Sequence, residues 1–335
     1  MQTLQISITT LAFLVALALL FGFMNGFNDA ANAIATVVST GVLKPQQAVA
    51  MAAIFNFIAI LVFHLQVAGT VGKGTIEPSV VDHYVVFGAL AGAITWSFLT
   101  WYNGIPSSSS HALIGGLIGA AVAKAGTGAL IGSGLIKTIV FVVLSPLLGF
   151  VFGSITLLLV SWVFVRSTPR RADKWFRRLQ LCSAALFSLG HGGNDAQKSM
   201  GIIWMLLITS GYSASTDALP WWVVVSCYCA ISFGTLFGGW RIVKTMGQRI
   251  TKLKPVGGFC AESSGALLLL GATAMGIPIS TTHTITGAII GVGSAQKMSA
   301  VRWVVAGNII WAWIFTIPAS AFIAAVAWWI GTQIL

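Results

Sequence analysis

Asp29 is the one charge inside an apolar run that begins near residue 5 and ends near residue 43. A bilayer span needs only about 20 apolar residues, so a run of this length points to a membrane. Within it, Gly22 to Pro45 reads GFMNGFNDAANAIATVVSTGVLKP, with Asn25, Asn28, Asp29 and Asn32 at i, i+3, i+4 and i+7. On a helix these four line one face. Ser188 to Gly201 reads SLGHGGNDAQKSMG, and His191, Asn194, Asp195 and Lys198 repeat the same stripe. Asn28 and Asn194 are 166 positions apart, and so are Asp29 and Asp195.

A second pair of segments keeps step with the first. Gly104-Ile105-Pro106-Ser107-Ser108-Ser109-Ser110-His111 returns as Gly276-Ile277-Pro278-Ile279-Ser280-Thr281-Thr282-His283, 172 positions later. Gly115 and Gly119 match Gly287 and Gly291 at the same interval. The chain therefore reads as a duplication: residues 1–165, a basic linker at 166–178, and residues 179–335. Paired hydrophobic segments interrupted by Gly or Pro at matching places point to the binding site of a secondary transporter.

Only 7% of residues are charged and the mean hydropathy is +0.91, against about 25% charged residues in a soluble domain. The expected class is an all-α polytopic membrane protein. A net charge of +11 would suggest a nucleic-acid partner in a soluble chain. Here it reads as the excess of Lys and Arg in cytoplasmic loops, so membrane lipid is expected as a neighbour and nucleic acid is not. The first twenty residues have neither a basic start nor a cleavage site, and read as a first membrane helix. Cys182, Cys227, Cys229 and Cys260 show no metal-ligand spacing and read as packing thiols. No metal site is expected, and no cofactor beyond a coupling H⁺ or Na⁺.

Ten candidate spans follow: 5–43, 46–66, 84–102, 105–123, 138–165, 179–209, 220–240, 257–275, 279–296 and 303–332. The first and sixth are long and are expected to break at their Gly and Asn residues. The short segments after Pro106 and Pro278 are expected to re-enter as two hairpins. Fourteen of the 18 Lys and Arg fall on one side of this scheme, three on the other, and Lys198 inside. The rich side is taken as cytoplasmic, with both termini outside. Five crossings per half invert the second half relative to the first, the geometry that permits alternating access. The loops 67–83 and 210–219, which hold Glu77, Asp82 and Asp217, are expected outside, and Trp221, Trp222, Trp328 and Trp329 at the interface.

The chemistry lies in the polar segments. Asp29, Asp195 and Glu262 fall within membrane segments, where an ionisable group costs at least about 2.5–3.5 kcal/mol on insertion scales and must be paired, hydrated or functional. Ser107, Ser108, Ser109 and Ser110, with Ser280, Thr281 and Thr282, supply neutral hydroxyl donors just ahead of helix starts that present free N–H groups to an anion. Asn28, Asn194 and Lys198 are expected to join them around the anion. Asp29 and Asp195, with Asn25, Asn32 and Glu262, suit a coupling Na⁺ or a proton. Lys198 stands where the first half has Asn32; its ammonium either replaces one bound cation or contacts the anion. His111, His191 and His283 can relay protons, donate to the anion or pair with carbonyls.

At these residues the sequence resembles the PiT family of inorganic phosphate transporters. GFNDAANAIATV, HGGNDAQKSMG and GIPISTTHTITGAIIGVG match the family's duplicated signatures, and the likeness runs over nearly the whole chain, most like the short bacterial branch. The resemblance implies an inverted-repeat transporter in the bacterial inner membrane with two re-entrant hairpins. It implies phosphate held between the tips, at Ser107–Ser110 and Ser280–Thr282, with the coupling cation at Asn28, Asp29, Asn194 and Asp195, and a homodimer. Sodium-coupled animal members carry a Glu in the second helix of each half. The matching positions here read as Asn56 and Glu262, which together with Lys198 favours H⁺ coupling or a metal–phosphate complex.

The leading expectation is a secondary symporter of inorganic phosphate. A sulfate permease of the same family is the same-class alternative. An intramembrane Ser/His enzyme fits poorly, because a nucleophile needs one oriented base at one site and these serines are duplicated. An anion channel would not require buried carboxylates beside its hydroxyls.

Overall fold

The computed structural model describes residues 7–73, 75–214 and 218–334. Asp217 and the extreme ends of the chain lie outside the described residues. The first part of the chain forms α1 (Ile8–Ser39), α2 (Pro45–Ile58), α3 (Gln66–Lys73), α4 (His83–Tyr102), α5 (Ser109–Ala125) and α6 (Gly132–Val163). The second forms α7 (Pro169–Thr209), α8 (Trp221–Phe237), α9 (Trp240–Lys244), α10 (Pro255–Ala274), α11 (Thr281–Gln296) and α12 (Trp303–Ile334). The order repeats: α4 and α10 have 20 residues each, and α6 and α12 have 32 each with an internal proline, Pro146 and Pro318. No β-strand forms among the described residues.

Two apolar cores flank the polar stripes. One takes Leu11, Leu14 and Phe21 from the start of α1 and Met200, Ile203 and Leu206 from the end of α7, with α4 and α5. The other takes Ile34 and Val37 from the end of α1 and Ala184 and Phe187 from the start of α7, with α10 and α11. The helices α1 and α7 thus visit the two cores in opposite order, and their polar residues lie between. The halves also interlock, since α5 packs on α12 and α11 on α6.

Glycine permits that approach. A Cβ on Gly119 would strike the backbone of Ala321 in α12, and one on Gly291 would strike Phe150 in α6. Small residues at helix contacts are how membrane helices gain packing where lipid is as apolar as leucine.

Several expectations from the sequence are corrected here. The runs 5–43 and 179–209 do not break: α1 and α7 are continuous helices of 32 and 41 residues. Their glycines serve contact, as Gly26 faces the backbone of Ile231 and Gly192 that of Asn56. The break falls in the second half at Gly238–Gly239, where α8 and the following α9 segment meet at 60°. The linker 166–178 is mostly helix, because Pro169 opens α7 at its first position. The loop 67–83 contains α3, whose first N–H groups, Val67 and Ala68, donate to Gln197 Oε1. Among the described residues, five helices are long and apolar enough to span, or six with the bent pair, against the ten segments read from sequence. The shortfall arises because α2, α5 and α11 run only 14 to 17 residues and α7 carries charge. Trp221, Trp222 and Trp329 are exposed, but Trp328 packs on a core. Cys182 and Cys229 are exposed and only Cys227 and Cys260 are buried.

Gly119→Ala should destabilise the protein by about 1–3 kcal/mol, the usual cost of overpacking. Gly128→Ala, where a Cβ meets nothing within 4 Å, should leave stability unchanged. Thermal unfolding of both variants in detergent, read by tryptophan fluorescence, checks the contrast.

Candidate functional site

Two tips build the site. The helices α4 and α10 each end on a glycine in the left-handed region, Gly104 at φ 66° and Gly276 at φ 66°. Ile105 N donates to Thr100 O and Ile277 N to Ala272 O, both at 2.9 Å, closing each helix. Pro106 and Pro278 then carry the chain out, because proline disfavours helix in the residue before it. Ser108 and Ser280 cap the next helices by accepting from the backbone N–H of His111 at 3.3 Å and His283 at 3.2 Å. The first-turn N–H groups of α5 and α11 have no intrahelical acceptor.

The tips meet each other. Thr282 Oγ1 donates to Ser107 O at 3.2 Å, and Ser110 Oγ to Ile279 O at 3.4 Å. Behind them His111 and His283 lie edge to face with ring centroids 4.5 Å apart, and His283 stacks on Trp313 at 3.8 Å. Trp313 Nε1 donates to Pro106 O at 3.0 Å, which fixes the first tip.

The polar stripes of α1 and α7 reach this junction. Asp29, Asp195 and Lys198 are 2%, 0% and 1% exposed. Asp29 accepts from Ser109 Oγ at 2.8 Å and from Thr282 Oγ1 at 3.0 Å. Asp195 accepts from Thr281 Oγ1 at 3.3 Å and pairs closely with Lys198. Lys198 Nζ also donates to Ser110 Oγ at 2.5 Å and to Ile279 O at 3.2 Å. The Asn32 amide donates to Thr281 and Thr282, at 3.3 and 2.9 Å. His191 Nε2 lies 3.4 Å from Asp195 Oδ2. Nine residues picked out from sequence are therefore joined side chain to side chain: Asp29, Asn32, His191, Asp195, Lys198, Ser109, Ser110, Thr281 and Thr282.

Others stand apart. Asn28 and Asn194 turn their amides away, to Ser97 O at 3.0 Å and to Thr273 Oγ1 and Ile277 O at 3.1 Å each. They tie α1 to α4 and α7 to the turn after α10. Asn25 is buried with neither side-chain polar atom hydrogen-bonded among the described residues. Ser107 Oγ bonds Thr100. His111 and His283 back the tips and do not touch the carboxylates.

Glu262 occupies a separate cage. Its carboxylate accepts from Thr36 and Ser183 at 2.5 Å each and from Gln180 Nε2 at 3.0 Å. Asn56 and Glu262 are not counterparts, since Asn56 lies in α2 and Glu262 in α10. Asn56 instead bonds Thr235 at 2.9 Å and His191 Nδ1 at 3.1 Å. The cage was readable in part: continuing the α1 stripe by four from Asn32 reaches Thr36, and then Thr40, which donates to Gln180. Spacing put His191 and Asp195 on one face of α7, but not their convergence with Asp29 of α1; the ligand atoms of the three lie within 4.8 Å of one another, close enough for one metal ion.

The comparisons fit this geometry. The model of the phosphate transporter family matches residues 25–172 and 165–324. A "Probable low-affinity inorganic phosphate transporter" of Rhizobium meliloti is 60% identical, covering 95% of this chain and 97% of the relative. One of the same name from Bacillus subtilis is 45% identical, covering 96% and 97%. The solved structure titled "The sodium-dependent phosphate transporter" aligns at a TM-score of 0.90 over 98% of this chain and 100% of that one, at 24% identity, a likeness of fold.

Ser183→Ala takes from the buried Glu262 carboxylate the donor to its Oε2. The expected loss is about 1–3 kcal/mol, the cost of an unsatisfied buried acceptor, read as a lower midpoint of thermal unfolding in detergent.

Proposed function

Because this chain belongs to the phosphate transporter family, we propose that it carries inorganic phosphate across the bacterial inner membrane as a secondary symporter driven by H⁺ or Na⁺. It is a multi-pass membrane transporter and not an enzyme. The observation that carries the proposal is the meeting of two hydroxyl-bearing helix starts over a pair of buried carboxylates.

The coupling follows from the hydroxyls. Ser109 and Thr282 each have one proton: Ser109 donates it to Asp29, and Thr282 has Asp29 at 3.0 Å as its nearer acceptor and Ser107 O at 3.2 Å as the alternative. A hydroxyl with its proton on a carboxylate cannot give the same proton to phosphate. A cation arriving at Asp29 takes over the carboxylate, and the hydroxyl oxygens become its ligands. Their protons are then free for the anion, beside the unpaired N–H groups of two helix starts. Cation and phosphate bind together, and neither is stable alone in the buried site. Ser107, Ser108 and Ser280 shape the tips, while Ser109, Ser110, Thr281 and Thr282 face the substrate.

Alternating access is supported by the opposite order in which α1 and α7 visit the two cores. Halves 1–165 and 179–335 acting as an inverted pair give one site two equivalent routes. Positive charge at Arg170, Arg171, Arg177 and Arg178 supports a cytoplasmic start of α7, with the termini outside.

In a second reading, phosphate travels with a divalent metal. The Asp29, His191 and Asp195 group favours it, and the Lys198 ammonium on Asp195 opposes it. Sulfate is the weaker substrate candidate, because phosphate keeps a proton near neutral pH for a carboxylate to accept.

Purified protein in proteoliposomes should accumulate radiolabelled phosphate under an imposed H⁺ or Na⁺ gradient, with sulfate a poor competitor. Asp29→Asn and Asp195→Asn should each lower uptake roughly a hundredfold or more, or about 2.7 kcal/mol, with normal membrane expression. Near-normal uptake in either variant would remove that carboxylate from the coupling.

A further inference from the structure

The two polar stripes of the duplicated site differ at two positions, Asn25 against His191 and Asn32 against Lys198, and only the second exchange brings in a permanent charge. Asp29 accepts from Ser109 of its own half, as Asp195 accepts from Thr281 of its own half. Asn32 donates across to Thr282, and its counterpart Lys198 donates across to Ser110. Ser110 and Thr282 are themselves equivalent, 172 positions apart. The difference lies in what joins each to the carboxylate it faces. Thr282 donates directly to Asp29 at 3.0 Å. Between Ser110 and Asp195 stands the Lys198 ammonium, bonded to both.

We infer that Lys198 is a tethered cation filling one of two equivalent cation positions, so that the transporter couples phosphate to a single exchangeable cation bound between Asp29 and Thr282. This rests on the symport reading above and sets its stoichiometry. The second half is held permanently in its cation-bound arrangement. Asp195 is neutralised, and Ser110 accepts from Lys198, which leaves its own proton on a long 3.4 Å bond to Ile279 O. In the first half Asp29 has no ammonium and takes two hydroxyls at 2.8 and 3.0 Å, whereas Asp195 beside its ammonium takes only the longer 3.3 Å bond from Thr281.

A second observation places an available oxygen ligand beside Asp29; Asn28 Oδ1 and, in the other half, Asn194 Oδ1 are available too. Asn32 Oδ1 is buried and has no hydrogen-bond donor among the described residues, although Asn32 is 1% exposed. A cation between Asp29 and Thr282 would lie next to the residue that carries this oxygen, and an amide carbonyl, a carboxylate and a hydroxyl form a hard-oxygen set suited to Na⁺. Charge gives the same count. Asp29, Asp195 and Lys198 together leave one carboxylate uncompensated, whereas asparagine at position 198 would leave two. The other titratable groups here are His191, beside Asp195, and the His111 and His283 pair behind the tips.

The test is a series of three proteins in proteoliposomes, with the cation-to-phosphate ratio read from phosphate accumulation at equilibrium against imposed H⁺ and Na⁺ gradients. The ratio should be one in the unaltered protein and two in Lys198→Asn, which restores the missing site. In Asn32→Lys, which tethers a cation in both halves, it should be zero, leaving transport downhill only. Phosphate binding to purified Lys198→Asn, by scintillation proximity, should weaken roughly tenfold or more in choline, because a buried carboxylate has lost its partner, and recover in Na⁺. This binding arm reports even where a variant does not transport. An unchanged ratio in Lys198→Asn, or weakened phosphate binding in that variant that neither Na⁺ nor a lower pH restores, would overturn the inference. Failure of the unaltered protein to accumulate phosphate under either gradient would instead refute the symport reading beneath it.

Discussion

Two carboxylates buried in an apolar protein cannot be left without partners, and the rest of the molecule is arranged around meeting that demand. An isolated ion in a low-dielectric interior costs far more than a fold can spare. Asp29 and Asp195 meet the cost with hydroxyls from the tips and with Lys198. Those bonds draw the two tips to the middle of the molecule. They force α1 and α7 to pass through the centre, and they leave apolar packing to the two cores on either side.

The same demand explains why a cation and an anion can share one site. Each hydroxyl offers one proton, so carboxylate and phosphate compete for it, and a positive charge settles the competition in favour of the anion. Lysine and a mobile ion are two ways of supplying that charge. The first is permanent, because a covalent tether removes the entropy of capture. The second is exchangeable and so able to draw on a gradient. Glu262 lies in its own cage of Thr36, Gln180 and Ser183, and its carboxylate meets the same burial cost by neutral donors alone.

Much of the site was legible before folding, and the reason is periodicity. A 3.6-residue stripe of Asn and Asp in an apolar run has one physical reading, a polar helix face kept inside, and Asp29, Asn32, Asp195 and Lys198 do meet. Repetition at fixed intervals paired Ser109 with Thr281 and Ser110 with Thr282. Asn28 and Asn194 use their amide N–H groups on neighbouring helices, because a stripe is wide and its edge reaches them, while their buried Oδ1 atoms accept no hydrogen bond among the described residues. Asn56 and Glu262 were set side by side as counterparts, although helix order gives α10 the partner α4. The approach of His191 to Asp195 follows from their i, i+4 spacing, but the approach of both to Asp29 was not readable, since Asp29 lies on another helix.

The sequence by itself determined the class of solvent, the duplication and the donor types, because each depends on composition or period and on nothing distant. It also placed the glycines and prolines that end α4 and α10, since backbone preference is local. Only the tertiary structure decided that α1 and α7 are unbroken, because whether glycine bends a helix or admits a neighbour depends on what packs there. It decided which hydroxyl faces which carboxylate, and that an ammonium stands between Ser110 and Asp195 where Thr282 bonds Asp29 directly. Those are facts about groups 86 to 253 positions apart in the chain, and only packing brings them within reach of one another.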